Sequence, residues 1–161
     1  MTVTSVDKDL ENLTLTLVAD FAAPAESVWE LWANPRQLER WWGPPTYPAT
    51  FEQHDLSPGG EMRYFMTGPE GDKHHGYWVV ESVEPPRALR VKDGFTDPDG
   101  NPTDGFSVTA MEMTLSDHEG GTRMELRSSF FSREGMEKML EMGMEQGLGE
   151  AVGQMDALLA E

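Results

Sequence analysis

The sequence has 161 residues, of which 38% are hydrophobic and 25% are charged, enough for one soluble domain with its own core. Its net charge is −17, which argues against binding to nucleic acid or to anionic membrane surfaces, because both need clustered Lys and Arg. It contains no cysteine, so disulfides and thiolate chemistry are excluded.

No apolar stretch approaches the roughly 20 residues that would span a bilayer. The first ten residues lack the basic and apolar regions of a signal peptide, so we expect a cytoplasmic protein that makes no contact with a membrane. We treat residues 1–10 as an N-terminal extension. Residues 11–161 show no linker or internal repeat, and we assign them to a single domain.

The chain opens with a strand and two short helices. Apolar and polar residues alternate along residues 11–21, which predicts a half-buried strand. Pro24 suits the first turn of a helix, and Asn34 caps a second helix that begins at Pro35. Gly43 and the two prolines after it end this second helix.

Six further strands are predicted, separated by turns rich in Gly and Pro. They lie at residues 48–56, 61–67, 75–83 and 88–92, and around residues 111–115 and 124–130. Residues 93–105 read as a long acidic loop, of the kind that is often functional in a compact domain.

The last segment predicts one long amphipathic helix, with Ser132 as its N-cap. Short turns between neighbouring strands imply an antiparallel sheet, and its apolar face must be covered by the apolar face of this helix. The predicted class is therefore α+β, a curved antiparallel sheet of about six to seven strands around a long C-terminal helix.

The same helix contains Gly143, Gly147, Gly149 and Gly153. A glycine inside a helix costs about 0.5–1 kcal/mol relative to Ala, so something should offset the cost. Either the helix backbone approaches the sheet closely, or the missing side chains leave space for a ligand.

Motifs of the common enzyme classes are absent from the sequence, which has no nucleophile elbow, phosphate loop or dinucleotide fingerprint. His54, His74, His75 and His118 do not have the spacing of a zinc site. We therefore expect neither a metal nor a cofactor.

Methionine and tryptophan are abundant, with 11 and 5 residues. Most such residues only pack the core, but Met also suits adaptable apolar surfaces. Met residues recur both on the predicted sheet and on the helix that faces it. This placement favours an apolar ligand site over ordinary packing alone.

Several segments of the chain carry motifs that resemble those of a known family. The N-terminal motifs are Ala23-Pro24-Ala25-Glu26-Ser27-Val28-Trp29-Glu30-Leu31-Trp32, Asn34-Pro35 and Leu38-Glu39-Arg40-Trp41-Trp42-Gly43-Pro44. The later motifs are Asp55-Leu56-Ser57-Pro58-Gly59-Gly60, Gly68-Pro69-Glu70-Gly71, Glu84-Pro85-Pro86-Arg87-Ala88-Leu89 and Gly121-Thr122-Arg123-Met124. In this order they resemble the SRPBCC superfamily, specifically the homologues of the activator of the heat-shock-protein ATPase.

The resemblance implies a START-like helix-grip fold with a cavity between the sheet and the C-terminal helix, closed on one side by the short helices. Relatives bind lipids, polyketides and other apolar molecules, so the leading hypothesis is a carrier or sensor of a small apolar molecule. The candidate cavity residues are Trp32, Trp41, Met62, Tyr64, Met66, Met111, Met113, Met144 and Leu148. No catalytic residue follows from the resemblance.

Two alternatives remain open at this point. The first is a stress-related protein that associates with a chaperone, and an exposed apolar patch over Trp41, Trp42 and Tyr47 would favour it. An enzyme of the cyclase, hydrolase or dehydratase type would need an inward ionisable group with a shifted pKa beside a cavity. His54, Glu61, Glu81 and Tyr64 are the candidates for that group, and we favour a function without catalysis.

Overall fold

The computed structural model describes residues 3–97, 99, 109–141 and 143–160. Within these ranges, two strands and two short helices are followed by six strands and then by the C-terminal helices. The strands are β1 (Val3–Asp9), β2 (Thr14–Phe21), β3 (Ala49–His54), β4 (Glu61–Thr67), β5 (Lys73–Glu84), β6 (Ala88–Phe95), β7 (Thr109–His118) and β8 (Gly121–Phe130). The helices are α1 (Ala25–Ala33), α2 (Pro35–Leu38), α3 (Arg133–Glu141), α4 (Met144–Gly153) and α5 (Met155–Leu159).

All eight strands form one antiparallel sheet in the order β1-β2-β8-β7-β6-β5-β4-β3. The expected α+β helix-grip class is confirmed, with one strand more than the upper end of the prediction. The additional strand is β1, which lies in the segment separated above as an N-terminal extension. It pairs with β2 at the edge of the sheet, so that segment is part of the same sheet.

The first two helices begin where the sequence predicts. Pro24 precedes α1 in an extended conformation, and the side-chain oxygen of Asn34 accepts a hydrogen bond of 2.9 Å from the Arg36 backbone N–H at the start of α2. This bond satisfies one of the free N–H groups of the first helical turn. The two helices carry Trp32 and Leu38 into the core.

The C-terminal segment differs from the prediction of one long helix, because it is divided into α3, α4 and α5. Gly143 lies between α3 and α4 with φ at 87°, a left-handed conformation that interrupts the helix and that glycine adopts without strain. Met136, Val152 and Met155 on the three pieces remain buried, so the apolar periodicity continues across the breaks. No helix in the described ranges is long and apolar enough to cross a membrane.

The predicted loop at 93–105 begins later than expected, because residues 93–95 complete β6. Residues 98 and 100–105 of that loop lie outside the described residues. The extension of β6 matters for the site, since it adds two further positions, Asp93 and Phe95, to the concave face of the sheet.

The concave face of the sheet and the helices enclose the core. Side chains along β2 alternate between buried and partly exposed, as the sequence pattern predicts. Gly76 on β5 shapes this face: a Cβ atom there would lie 2.5 Å from Cζ of Tyr64, its neighbour on β4. The missing side chain therefore allows the Tyr64 ring to lie across β5 toward the middle of the sheet.

Candidate functional site

A cavity of about 370 Å³ lies between the concave face of the sheet and the segment formed by α3 and α4. Strands β4, β6, β7 and β8 form its floor, and residues 42–47, which follow α2, close one side. Aromatic and methionine side chains dominate the wall. They are Trp42, Tyr47, Tyr64, Phe95, Met66, Met111, Met139 and Met144.

Five of the nine predicted cavity residues lie on this wall. They are Tyr64, Met66, Met111, Met144 and Leu148. The two predicted sources, the sheet and the C-terminal helical segment, therefore meet at the same cavity. Their contact with a ligand remains a prediction.

The other four predicted residues, Trp32, Trp41, Met62 and Met113, are fully buried and do not line the cavity. Met62 and Met113 face the same side of the sheet as the lining residues, but Met62 lies two residues before Tyr64 on β4 and Met113 lies two residues after Met111 on β7. That shift moves them from the cavity into the packed core. The alternation of the sequence identifies the face of a residue but not its depth along that face.

Tryptophan side chains form a packed wall beside the cavity. Trp42 meets Trp78 edge to face, with ring centroids 4.8 Å apart, and it meets Tyr64 at 6.2 Å in a similar geometry. Trp41 lies behind Trp42, and its indole N–H donates a 2.9 Å hydrogen bond to the Leu31 carbonyl. Trp42, which the sequence analysis did not choose as a cavity residue, is therefore the tryptophan that faces the space.

Asp93 is a charged lining residue that the sequence analysis missed. It lies on β6 opposite Thr109 of β7, whose hydroxyl donates a hydrogen bond to Oδ1 of the carboxyl. Burial raises the pKa of Asp93 to about 6, and the hydrogen bond from Thr109 opposes that rise. Leu89 and Val91 are both buried on the concave face, which indicates that every second residue of β6 points to that face. The same alternation, continued by two residues, would have identified Asp93.

Tyr64 provides a neutral hydroxyl in the same cavity. Burial raises the pKa of its phenol well above the usual range, and the negative charge of Asp93 adds to the rise. The indole N–H groups of Trp42 and Trp78 act in the opposite direction, although neither makes a hydrogen bond of good geometry within the described part of the chain. The phenol therefore stays protonated at neutral pH.

Two glycines of the C-terminal segment, Gly143 and Gly147, line the cavity. A Cβ atom added at Gly143, Gly147, Gly149 or Gly153 would meet no atom within 4 Å. Of the two explanations for these glycines, close approach of the backbone to the sheet does not apply. Open space beside Gly147 agrees with the ligand explanation.

The remaining candidate acid–base residues lie away from the cavity. His54 Nε2 is 3.3 Å from the Trp32 carbonyl oxygen, Glu61 pairs with Arg63 at 2.9 Å, and Glu81 is exposed. Across residues 3–97, 99, 109–141 and 143–160, no group of three or more His, Cys, Asp or Glu residues is arranged to hold a metal ion.

The apolar patch that would favour a chaperone-associated protein is not exposed in the structure. Trp41 is fully buried and Trp42 is only 8% exposed, so both belong to the core and the cavity wall rather than to the surface. Only Tyr47 of that group retains intermediate exposure.

The family model of Activator of Hsp90 ATPase homolog 1-like protein matches residues 22–160. No curated protein sequence matches the chain. The match covers the described helices, every strand except β1 and β2, and all the residues that line the cavity.

Solved structures show the same fold. A protein from Arthrobacter aurescens, determined by solution NMR, is 51% identical; the match covers 99% of this chain and 92% of that chain, with a TM-score of 0.95. A crystal structure from Mycobacterium smegmatis is 46% identical over 98% of this chain and 96% of that one, with a TM-score of 0.91. The AHSA1 protein from Silicibacter pomeroyi shares the fold at 22% identity, with a TM-score of 0.74 and coverage of 91% and 97%.

Proposed function

The chain belongs to the family of Activator of Hsp90 ATPase homolog 1-like proteins, as its motifs indicated, and we propose that it binds a small apolar molecule between the sheet and the C-terminal helices. The cavity of about 370 Å³ is the observation that carries this proposal. Ligand pockets in proteins span roughly 300–1,000 Å³, are mostly apolar and contain a few polar groups that orient the ligand.

The size of the cavity limits the size of the molecule. An engineered apolar cavity of about 150 Å³ holds one benzene ring. The space here is somewhat more than twice as large, so it suits a molecule of about two fused rings or a short branched chain. Flexible side chains such as Met66, Met111 and Met144 can adjust their rotamers to its shape.

Two glycines of the wall also support a binding cavity rather than a packing defect. Gly143 and Gly147 place backbone rather than side chains against the space, although a methyl group would meet no atom at either position. At the interior helical position 147 the choice of glycine over alanine costs about 0.5–1 kcal/mol. Retention of the space at that cost supports a bound molecule.

Native mass spectrometry of freshly purified protein is the first test, followed by denaturing analysis of any released molecule. A co-purifying apolar molecule would support the proposal and identify its chemical class. Protein that carries no molecule should still be stabilised by a ligand, by about 2.7 kcal/mol when the ligand is at a hundredfold excess over Kd. An apo mass together with no thermal shift across a panel of one- and two-ring apolar compounds would refute the proposal.

A second candidate function, catalysis, is favoured by Asp93 alone. A carboxyl whose pKa is about 6 beside a cavity can give or take a proton near neutral pH, which is the condition set above for an enzyme. Incubation of the co-purified molecule with the protein, followed by mass analysis, would reveal conversion. Catalysis through Asp93 predicts that Asp93→Asn abolishes this conversion, and an unchanged rate would exclude that role.

A further inference from the structure

The charge of the cavity wall has one sign. Two carboxylates, Asp93 and Glu150, lie on the wall, whereas none of the described lining residues is Lys, Arg or His. The whole chain is also strongly acidic, with a net charge of −17. A ligand with its own carboxylate or phosphate would meet like charges here without a basic partner, and at close range that repulsion is costly.

Asp93, which lines the cavity, has one carboxyl oxygen to which no described residue donates a hydrogen bond. Thr109 donates a hydrogen bond to Oδ1, whereas Oδ2 has no hydrogen-bond donor among the described residues. The carboxyl is mostly ionised at neutral pH, because its pKa is about 6. A partly buried anion with a single donor is unfavourable unless another donor or a positive charge compensates it.

Aromatic rings complete the surroundings of this carboxyl. Trp42, Tyr47, Tyr64 and Phe95 all line the same cavity, and Tyr64 is close enough for the Asp93 charge to affect its phenol. The faces of such rings attract cations, most strongly where water is excluded. A cavity that combines aromatic rings with a carboxylate is typical of sites that bind organic ammonium ions.

We propose that the molecule bound in this cavity is an organic cation, with an apolar body of about two rings and a protonated amine that pairs with Oδ2 of Asp93. This inference rests on the proposed ligand-binding function and assigns the chemical class of the ligand. The apolar body contacts the methionines, Leu148 and the aromatic rings, while the ammonium group contacts Asp93. Ser128, buried on the floor of the cavity, offers a further hydroxyl to the ligand.

Three probes with the same two-ring body separate charge from apolar fit: 2-naphthylmethylamine, 2-naphthalenemethanol and 2-naphthoate. We expect calorimetry near pH 7.5 to show that the amine binds at least tenfold more tightly than the alcohol, because a hydrogen bond to a charged group adds roughly 1.5–3 kcal/mol. The carboxylate should bind most weakly.

Two variants locate the source of the preference for the amine. Asp93→Asn keeps the shape of the side chain and should reduce the preference for the amine over the alcohol to below about threefold, with the affinity for the alcohol unchanged. Glu125→Gln makes the same change in net charge on the opposite, exposed face of β8 and should leave the preference intact. Thermal unfolding of each variant confirms that it is folded before titration.

The outcomes separate this inference from the proposed function. Equal binding of the amine and the alcohol would overturn the cationic class but leave apolar binding in place. A preference for the amine that survives in Asp93→Asn would overturn the pairing with Asp93 and assign the preference to the acidic surface. Tightest binding of 2-naphthoate would also overturn the inference, and failure of all three probes would overturn the ligand site itself.

Discussion

Replacement of Asp93 by Asn should stabilise the protein, and the gain should depend on pH. The pKa of Asp93 is raised by burial from 3.8 to about 6. A raised pKa in the folded state means that the ionised carboxyl favours the unfolded chain. The stability that the fold has with a protonated Asp93 is therefore fully present below about pH 3.8, and it is lost as the pH rises through about 6 and the carboxyl ionises.

The magnitude follows from the shift of about two pKa units. Each unit corresponds to about 1.36 kcal/mol, so the ionised carboxyl destabilises the fold by at most about 3 kcal/mol at pH 8. At pH 4 the fold is destabilised by only about 0.5 kcal/mol, because the carboxyl is then protonated in the folded state and only partly ionised in the unfolded chain. The advantage of Asp93→Asn over the parent should therefore grow by about 2 kcal/mol from pH 4 to pH 8.

Urea unfolding of the parent and the variant at several pH values measures this difference. Other acidic groups titrate in both proteins, so their contributions cancel when the two are compared at each pH. Glu125→Gln, on the exposed face of β8, should differ from the parent by less than about 0.5 kcal/mol throughout. An Asp93→Asn advantage that stays constant from pH 4 to pH 8 would refute the idea that burial of this carboxyl raises its pKa.

Five further substitutions test the space in the cavity, the packing of the sheet and the cap of α2. Gly147→Ala should raise stability by about 0.5–1 kcal/mol but weaken binding of a two-ring probe by about 1 kcal/mol, since its methyl group enters the cavity. Gly149→Ala, on the same helix but off the cavity wall, should raise stability by the same amount as Gly147→Ala and leave binding of the probe unchanged. If the two variants weakened binding equally, the result would count against the cavity. Gly76→Ala should destabilise the fold by about 1–3 kcal/mol, because its Cβ would lie 2.5 Å from the Tyr64 ring; denaturant unfolding with no loss would contradict that contact. Asn34→Ala should cost about 0.5–2 kcal/mol in the same assay through loss of the cap of α2, whereas Asn34→Ser should recover most of it.

Local patterns in the sequence determined most of the elements and their order. Alternation along residues 11–21 gave a strand that the structure places as β2, and Asn34 caps α2 as its side chain predicts. These features depend on neighbours a few residues away, so they can be recognised without the rest of the chain. The motifs likewise identified the family, because several of them occur in the same order.

The contents of the cavity depended on the tertiary structure. Met111 lines the cavity and Met113 is buried in the core, yet the two are alike in type, strand and face. Whether each side chain lines the cavity or lies in the packed core depends on how far the helical segment extends over the sheet. No local pattern in the sequence indicates that extent. Asp93 was missed for a related reason: its position follows from the extension of β6 beyond the predicted end and from its pairing with Thr109 of β7.

The interruption of the C-terminal helix was also decided by the folded chain. The apolar residues of α3, α4 and α5 keep helical spacing, so the sequence alone predicted one continuous helix. Gly143 permits both a helical and a left-handed conformation, and its sequence neighbours do not choose between them. Periodicity records which side of an element faces the core, whereas depth, breaks and cavity walls depend on contacts between segments that are distant in the sequence.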